Sequence, residues 1–229
     1  MVWIGYFSEK HSIGGVDVDY TPRSLVERDY YIYFLQEAIQ QWHDAGLKVS
    51  MSIYPTLNIF PPQLFHSLDR LHLVAYDMFE MESGPNIDPY HASLDKVSRT
   101  LDSLLQPGGV LETTPEKILL GIPAYARRLQ VPTDVKTFGE IYDGLIEERR
   151  TINWQTLHSW NGYEWESGNR IQDKVDLAKN RGLGGIFFWE IGQDKITPSH
   201  PRGVLLEAAA IAAARNHTVA AGRSSNNEL

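Results

Sequence analysis

Short apolar segments alternate with amphipathic segments along almost the whole chain, and this alternation limits the folds that the sequence can adopt. Five strand-like runs are each followed by a segment with helical periodicity, which gives about five βα units beginning at Gly15. Such alternation predicts an α/β protein with a parallel sheet and right-handed crossovers. We predict strands at 16–19, 48–54, 71–76, 117–122 and 186–189, and helices at 25–42, 61–68, 90–105, 170–180 and 203–215.

Polar residues mark where two of these helices begin. Ser24 and Glu27 have the spacing of a capping box, in which each side chain bonds the other residue's backbone N–H, and Gly46 marks the end of that helix. Asp88, which precedes a proline, is predicted to cap the helix at 90–105.

The first predicted strand carries two acids, Asp17 and Asp19, inside an apolar, β-branched run. Because successive strand side chains point to opposite faces, Asp17, Asp19 and Thr21 share one side. If the other side packs beneath helices, burial and like charge raise the pKa of one acid well above about 4, which suits proton chemistry. An edge strand with its acids in water, or a strand running into an Asp-rich turn, explains the same pattern without chemistry.

Composition excludes several classes of function. The 229 residues, 42% of them hydrophobic, can bury one core, so we predict a single domain over 1–215 and a disordered tail at 216–229. The net charge of −8 and the scattered basic residues argue against a nucleic-acid partner. The absence of cysteine removes disulfides, thiolate catalysis and cysteine–zinc sites. We expect no cofactor and no metal.

No apolar run approaches the roughly 20 residues that a membrane span needs, so no membrane association is expected. The N-terminus has no basic flank before its short apolar stretch and does not read as a signal peptide. The localisation stays undetermined on these grounds.

Four motifs stand at the ends of predicted strands: VDVDY at 16–20, VAYDMFE at 74–80, LLGIPAYARR at 119–128 and GGIFFWEIGQD at 184–194. In this order they resemble glycoside hydrolase family 18, the chitinase family, from its fourth barrel strand to its eighth. The resemblance implies a partial (β/α)₈ TIM barrel with its active site at the C-terminal ends of the strands. It also implies a small insertion within 123–183, between the last two strands.

The family signature D-x-x-D-x-D-x-E falls on Gly14, Asp17, Asp19 and Thr21. In the family, the final glutamate protonates the leaving oxygen while the 2-acetamido group of the substrate attacks the anomeric carbon. By this resemblance Asp19 orients the acetamido group, and Asp17 lies beneath it and shares a proton. Thr21 cannot replace the glutamate, because a hydroxyl holds its proton too tightly near neutral pH.

The alignment of this chain with the family signature can shift by one residue here, because family members usually read Trp-Glu-Tyr-Pro where this chain has Tyr20, Thr21 and a proline. Neither placement supplies a glutamate. Glu27 and Asp29 are the next acids, but both fall inside the predicted helix and are poor substitutes.

The resemblance assigns substrate-binding roles to five further residues. Tyr76 would touch the acetamido group and Asp77 would bond the sugar, although a core tyrosine beside a capping aspartate gives the same pattern. Trp189 would form the floor of the pocket for the cleaved sugar, with ordinary barrel packing as the alternative. Tyr125 and Arg127 would line the cleft.

Irregularly spaced aromatics within 123–183 offer stacking faces for sugars, but such residues more often fill the base of an inserted subdomain. We expect at least two of them to be core residues. They are Trp154, Trp160, Tyr163 and Trp165.

A barrel of eight units needs three more strands and helices before Gly15, and the N-terminus, at 2–7, adds at most one strand. The sheet is therefore expected to stay open, with an edge that invites self-association. A truncated gene model, a fragment of a longer chain, and a half-barrel completed by a partner each explain this.

Two functions follow from these features. The first is a hydrolase of β-1,4-linked N-acetylglucosamine polymers, with little or no turnover because the glutamate is missing. The second is a non-catalytic protein that binds chitin or its oligosaccharides. A non-functional fragment is the remaining alternative.

Overall fold

The structure is a computed structural model that describes residues 13–55, 60–79, 88–150 and 152–215. Its strands are β1 (Gly15–Val18), β2 (Lys48–Ile53), β3 (Arg70–Leu73), β4 (Ile118–Pro123), β5 (Tyr125–Arg128), β6 (Val131–Thr137), β7 (Ser159–Trp160), β8 (Tyr163–Glu164) and β9 (Gly185–Trp189). Its helices are α1 (Leu25–Asp44), α2 (Pro62–Ser67), α3 (Leu94–Leu105), α4 (Phe138–Glu147), α5 (Gly168–Asn180) and α6 (Val204–Ala214). The predicted N-terminal strand and C-terminal tail lie outside the described residues.

The main sheet has five strands in the order β1, β2, β3, β4 and β9, and all neighbours are parallel. At least one helix follows each of these five strands along the chain, so the predicted five βα units are confirmed. Within the described residues β1 and β9 pair on one side only, and the sheet forms an open part of a barrel.

Helices cover the outer face of this sheet through apolar stripes with helical spacing. The buried stripe of α1 consists of Tyr31, Leu35, Ala38, Ile39 and Trp42, and packs in one core with the buried side chains of β2 and β3 that face the helices. The near-continuous apolar run of β4 is explained by cover on both faces.

The insertion predicted within 123–183 is a small antiparallel sheet in the order β6, β5, β8 and β7, together with α4. Only Ala124 separates β4 from β5. The chain therefore passes directly from the end of a barrel strand into the insertion. A capping box at Thr137 and Glu140, which the sequence analysis did not identify, begins α4.

Several element boundaries differ from the predictions. The helix predicted at 90–105 begins at Leu94, because Ser93 caps it and Asp88 instead accepts a hydrogen bond from the Tyr90 N–H at 2.9 Å. The strand predicted at 71–76 ends at Leu73. Helix α5 begins two residues earlier than predicted, at Gly168.

The predicted capping box at Ser24 forms only in part. Ser24 accepts from the Glu27 N–H at 3.1 Å. The Glu27 carboxylate, however, accepts from the Arg23 N–H at 2.7 Å and from the Tyr20 hydroxyl, and not from the Ser24 N–H.

Within the described part of the chain, no helix combines the length and apolarity needed to cross a bilayer.

Candidate functional site

A carboxylate in the segment that follows β3 lies at the centre of a dense hydrogen-bond network. Asp77 accepts from the Tyr125 hydroxyl at 2.8 Å and from Arg127 Nε and Nη2 at 2.6 and 2.5 Å. Both donors lie on β5, so the start of the insertion is fastened to the end of a barrel strand. The structure therefore brings three of the five predicted substrate-binding residues together.

The segment after β3 explains how Asp77 reaches this position. The chain leaves the sheet after Leu73, and Asp77 adopts a left-handed backbone with φ of 57°. The His91 ring accepts from the Asp77 N–H at 2.9 Å, and the His91 carbonyl accepts from the Met78 N–H at 3.0 Å. No local feature of the sequence distinguishes His91, which lies near the start of the helix predicted at 90–105.

Charge at this site favours the ionised aspartate. Burial opposes ionisation of Asp77, but the adjacent His91 ring and the hydrogen bonds from Arg127 and Tyr125 outweigh it and lower the pKa of Asp77 to about 2. Burial, together with the Asp77 carboxylate, raises the pKa of Tyr125, so this residue keeps its hydroxyl proton and remains a donor. Near neutral pH the site holds a carboxylate paired with a guanidinium.

Tyr76 connects this network to the first strand. Its ring lies edge-on to Tyr125 and Phe187, at centroid distances of 6.2 and 6.4 Å, and is mostly buried. Burial, the Tyr54 hydroxyl and the carboxylates of Asp19 and Asp77 raise the pKa of Tyr76. Asp19 and Tyr54, which follow β1 and β2, thus act on the same tyrosine.

A glycine on β4 allows this close packing. A Cβ atom at Gly121 would lie 2.7 Å from the Leu73 carbonyl oxygen, 2.7 Å from Tyr76 Cε1 and 2.9 Å from Phe187 Cζ. The absence of a side chain at 121 therefore lets β3, β9 and the Tyr76 ring approach one another.

Asp17 lies on β1 and contacts side chains from β2 and β3, the next two strands of the sheet. Its Oδ1 accepts from Ser50 Oγ at 2.5 Å and lies 2.9 Å from His72 Nδ1. The hydrogen bond with His72 outweighs burial and, with the bond from Ser50, lowers the pKa of Asp17. The prediction of a strongly raised pKa is therefore wrong for Asp17, because partners distant in sequence stabilise its charge.

The remaining predicted residues, at or after the ends of β1 and β9, are exposed. Asp19 and Thr21 lie in the segment between β1 and α1. Trp189 is the last residue of β9 and is 48% exposed, so packing in the barrel leaves much of its side chain accessible. The Ala124 N–H donates to the Trp189 carbonyl at 2.8 Å, which holds the end of β9 beside the start of β5.

The aromatics of the insertion divide between core and partly exposed positions. Tyr163 and Trp165 are buried, which confirms the expectation of at least two core residues. Trp154 stacks on Tyr142 at 4.3 Å, and Trp160 packs over Gly144.

Two further ionisable residues lie fully buried behind the site. Glu166 contacts Lys174 and accepts from the Tyr90 hydroxyl at 2.9 Å. Burial lowers the pKa of Lys174.

Over the described residues, no group of three or more His, Asp or Glu side chains is arranged to hold a metal ion.

Comparison with known proteins supports the fold and identifies the family. The model of the family Glycosyl hydrolases family 18 matches residues 4–194. A GH18 chitinase structure from Flavobacterium johnsoniae superimposes with a TM-score of 0.73 at 22% identity, covering 92% of this chain and 63% of that one. A class V chitinase structure from Nicotiana tobaccum, a mutant in complex with NAG4, gives 0.66 at 21% identity, covering 92% and 71%.

Among curated relatives, a probable chitinase of Drosophila melanogaster, chitinase 10, is 21% identical over 242 residues, which cover 82% of this chain and 10% of the relative. The chain thus spans a tenth of that relative and less than two thirds of the Flavobacterium johnsoniae structure. The likeness to solved structures establishes the partial TIM barrel, and the match of the family model over most of the sequence places the chain in glycosyl hydrolases family 18.

Proposed function

We propose that the chain binds β-1,4-linked N-acetylglucosamine oligosaccharides at the C-terminal end of its sheet and hydrolyses them slowly or not at all. The observation that carries this proposal is the Asp77, Tyr125 and Arg127 network, which stands at the strand ends together with an exposed Trp189. Fixed polar groups beside a flat apolar face suit a neutral sugar, whose rings present hydroxyls at the edge and C–H groups on the face.

Each residue has a role in this proposal. Trp189 stacks on the sugar, and Asp77 accepts from its hydroxyls because the carboxylate is ionised at neutral pH. Tyr76 donates to the acetamido oxygen, since its raised pKa keeps the hydroxyl protonated. Asp19 orients the acetamido N–H. Asp17 supports Asp19 as a fixed negative charge and does not carry a shared proton.

The weak hydrolysis follows from the lack of a proton donor. A general acid needs a pKa near the working pH. Thr21 has no such proton, and the pKa values of Asp17, Asp77 and Glu27 all lie below the ordinary range because each accepts hydrogen bonds. These carboxylates are ionised near neutral pH and cannot protonate a leaving group.

Retention on chitin beads tests the binding. The wild type is expected to be retained, and Trp189→Ala is expected to elute early because it loses the stacking face. Tyr33→Ala is the matched control, since it removes an exposed aromatic from the outside of α1 and should not change retention. A wild type that passes through the beads, or a Trp189→Ala variant retained equally well, would sink the proposal.

Turnover of a fluorogenic chitobioside tests the second part. Release by the wild type is expected to stay near the buffer blank, and Thr21→Glu is expected to increase it by about 100-fold or more, within the usual contribution of general acid catalysis. Thr21→Gln is the matched control, because it has the size of glutamate without its proton. Wild-type release well above the blank that disappears in Asp19→Ala would show that the chain is active without this glutamate.

We also propose that the open sheet self-associates. The supporting observation is that β1 and β9 pair on one side only among the described residues, which leaves backbone groups of both strands for another chain.

A further inference from the structure

We propose that His91 is a positioning residue, which fixes the left-handed backbone of Asp77 and so directs its carboxylate toward Arg127 and Tyr125. The expected effect of His91 on sugar affinity rests on the proposed function. The effect of His91 on the position of Asp77 is independent of that function.

Packing holds the His91 ring in one orientation. The residue is 1% exposed and stacks between Tyr125, at a centroid distance of 5.4 Å and 19°, and Phe79, at 5.6 Å and 25°. Tyr90 meets the ring edge-on at 4.9 Å. Rotation of the ring would require these aromatic neighbours to move, so Nδ1 has a fixed position.

The fixed nitrogen meets a backbone that needs support. Asp77 has a φ of 57°, a region that non-glycine residues occupy at a cost unless their surroundings hold them there. The Asp77 N–H donates to His91 Nδ1 at 2.9 Å and thereby ties this backbone to the buried ring. The direction of the Asp77 side chain depends on that backbone angle.

The protonation of the ring follows from its neighbours. Burial lowers the pKa of His91, so the ring is neutral near pH 7. Nδ1 lies 2.9 Å from the Asp77 N–H and 3.1 Å from Asp77 Oδ1, and a neutral ring nitrogen either accepts or donates. The backbone N–H can only donate, whereas Oδ1 already accepts from Tyr125 and Arg127, so Nδ1 is the acceptor.

This arrangement transmits the position of His91 to the insertion. Arg127 binds both carboxylate oxygens of Asp77 and also donates to the Pro132 carbonyl at 2.6 Å, which fixes the β5–β6 hairpin. A shift of Asp77 would break the bidentate pair first, because two parallel hydrogen bonds tolerate little rotation.

Two amide variants separate positioning from packing. The Asn side chain of His91→Asn can place its oxygen near Nδ1, whereas His91→Gln extends the amide to the Nε2 position. The first measurement is the Asp77 carboxyl titration by carbon NMR in the free protein. We expect His91→Asn to keep the pKa near about 2, and His91→Gln and His91→Phe to raise it toward about 4 as the Arg127 pair loosens.

The second measurement is the affinity for an N-acetylglucosamine tetrasaccharide by calorimetry. His91→Gln and His91→Phe are expected to weaken binding about tenfold, the effect of one lost hydrogen bond, and His91→Asn to restore most of it. Two results would overturn the role of His91. One is an unchanged pKa of Asp77 in His91→Phe, and the other is an equal loss of tetrasaccharide affinity in His91→Asn and His91→Gln. Absence of tetrasaccharide binding by the wild type would instead refute the proposed function, and the Asp77 titration would still decide the role of His91.

Discussion

Asp77 combines a depressed pKa with contacts to three residues from two separate segments of the chain. Its partners lie 14, 48 and 50 residues away, on the segment before α3 and on β5. Because the side chain is also 36% exposed, water screens the pair and reduces its effect on stability. The residue therefore acts mainly on the geometry of the site and contributes to stability in a pH-dependent manner.

The contribution of Asp77 to the free energy of unfolding should decrease in acid. Its pKa is about 2 in the folded chain and about 4 when unfolded, so the contribution is complete above about pH 4 and is lost as the pH falls toward about 2. Urea unfolding of the wild type and Asp77→Asn measures it. We expect the difference between the two proteins to be constant from pH 7 to about 4 and to shrink below that. A difference that persists unchanged at pH 2 would contradict the assignment.

At the scale of elements, β4 and the insertion determine where the site forms. β4 lies between β3 and β9, and the chain passes through Ala124 into β5, which carries Tyr125 and Arg127. The insertion thus begins with residues that complete the barrel site. Gly121 sets the spacing of β4 from β3 and β9.

Gly121→Ala should destabilise the chain by about 1–3 kcal/mol, the usual cost of adding a methyl group to a closed space. The new Cβ would meet the Leu73 carbonyl, Tyr76 and Phe187 at distances below 3.0 Å. Chemical denaturation measures the loss, and near-ultraviolet circular dichroism reports the displacement of Tyr76. Gly192→Ala is the matched control, because a Cβ there has no neighbour within 4 Å, and it should change the stability by less than about 0.5 kcal/mol.

At the scale of the molecule, the open sheet distinguishes the described chain from a complete barrel. Closure removes the edges of a sheet, whereas β1 and β9 each keep an unpaired edge within the described residues. Helix α1, which follows β1, also exposes large side chains that helices of a closed ring normally cover. They are Leu25, Val26, Tyr30, Tyr33 and Phe34.

The proposed self-association should appear as a molar mass that rises with concentration in size-exclusion chromatography with light scattering. Replacing Tyr30 and Tyr33 together by lysine is expected to shift the protein toward the monomer, because charge at this face opposes burial. Ile146→Lys on α4 is the control, since it changes an exposed apolar residue in the insertion. A constant monomer mass at all concentrations would refute the proposal.

The sequence by itself determined the order and type of the five main-sheet strands and their helices, and where polar residues follow these strands. The period of apolar residues along a strand or helix is local, and so are the motifs that contain Asp17, Tyr76, Asp77, Tyr125 and Trp189, which lie in strands or in the segments that follow them. Local signals compete at helix starts, since Asp88 and Ser93, five residues apart, can both cap a helix and only Ser93 does so in the structure.

Only the tertiary structure decided the chemical state of these residues. The lowered pKa of Asp17 depends on Ser50 and His72 from two other strands, and that of Asp77 on partners across the insertion. His91 gains its role through a single backbone contact with Asp77. A pKa reflects the burial and charges that surround a group in space, and the register of parallel strands and the path of the insertion set these surroundings.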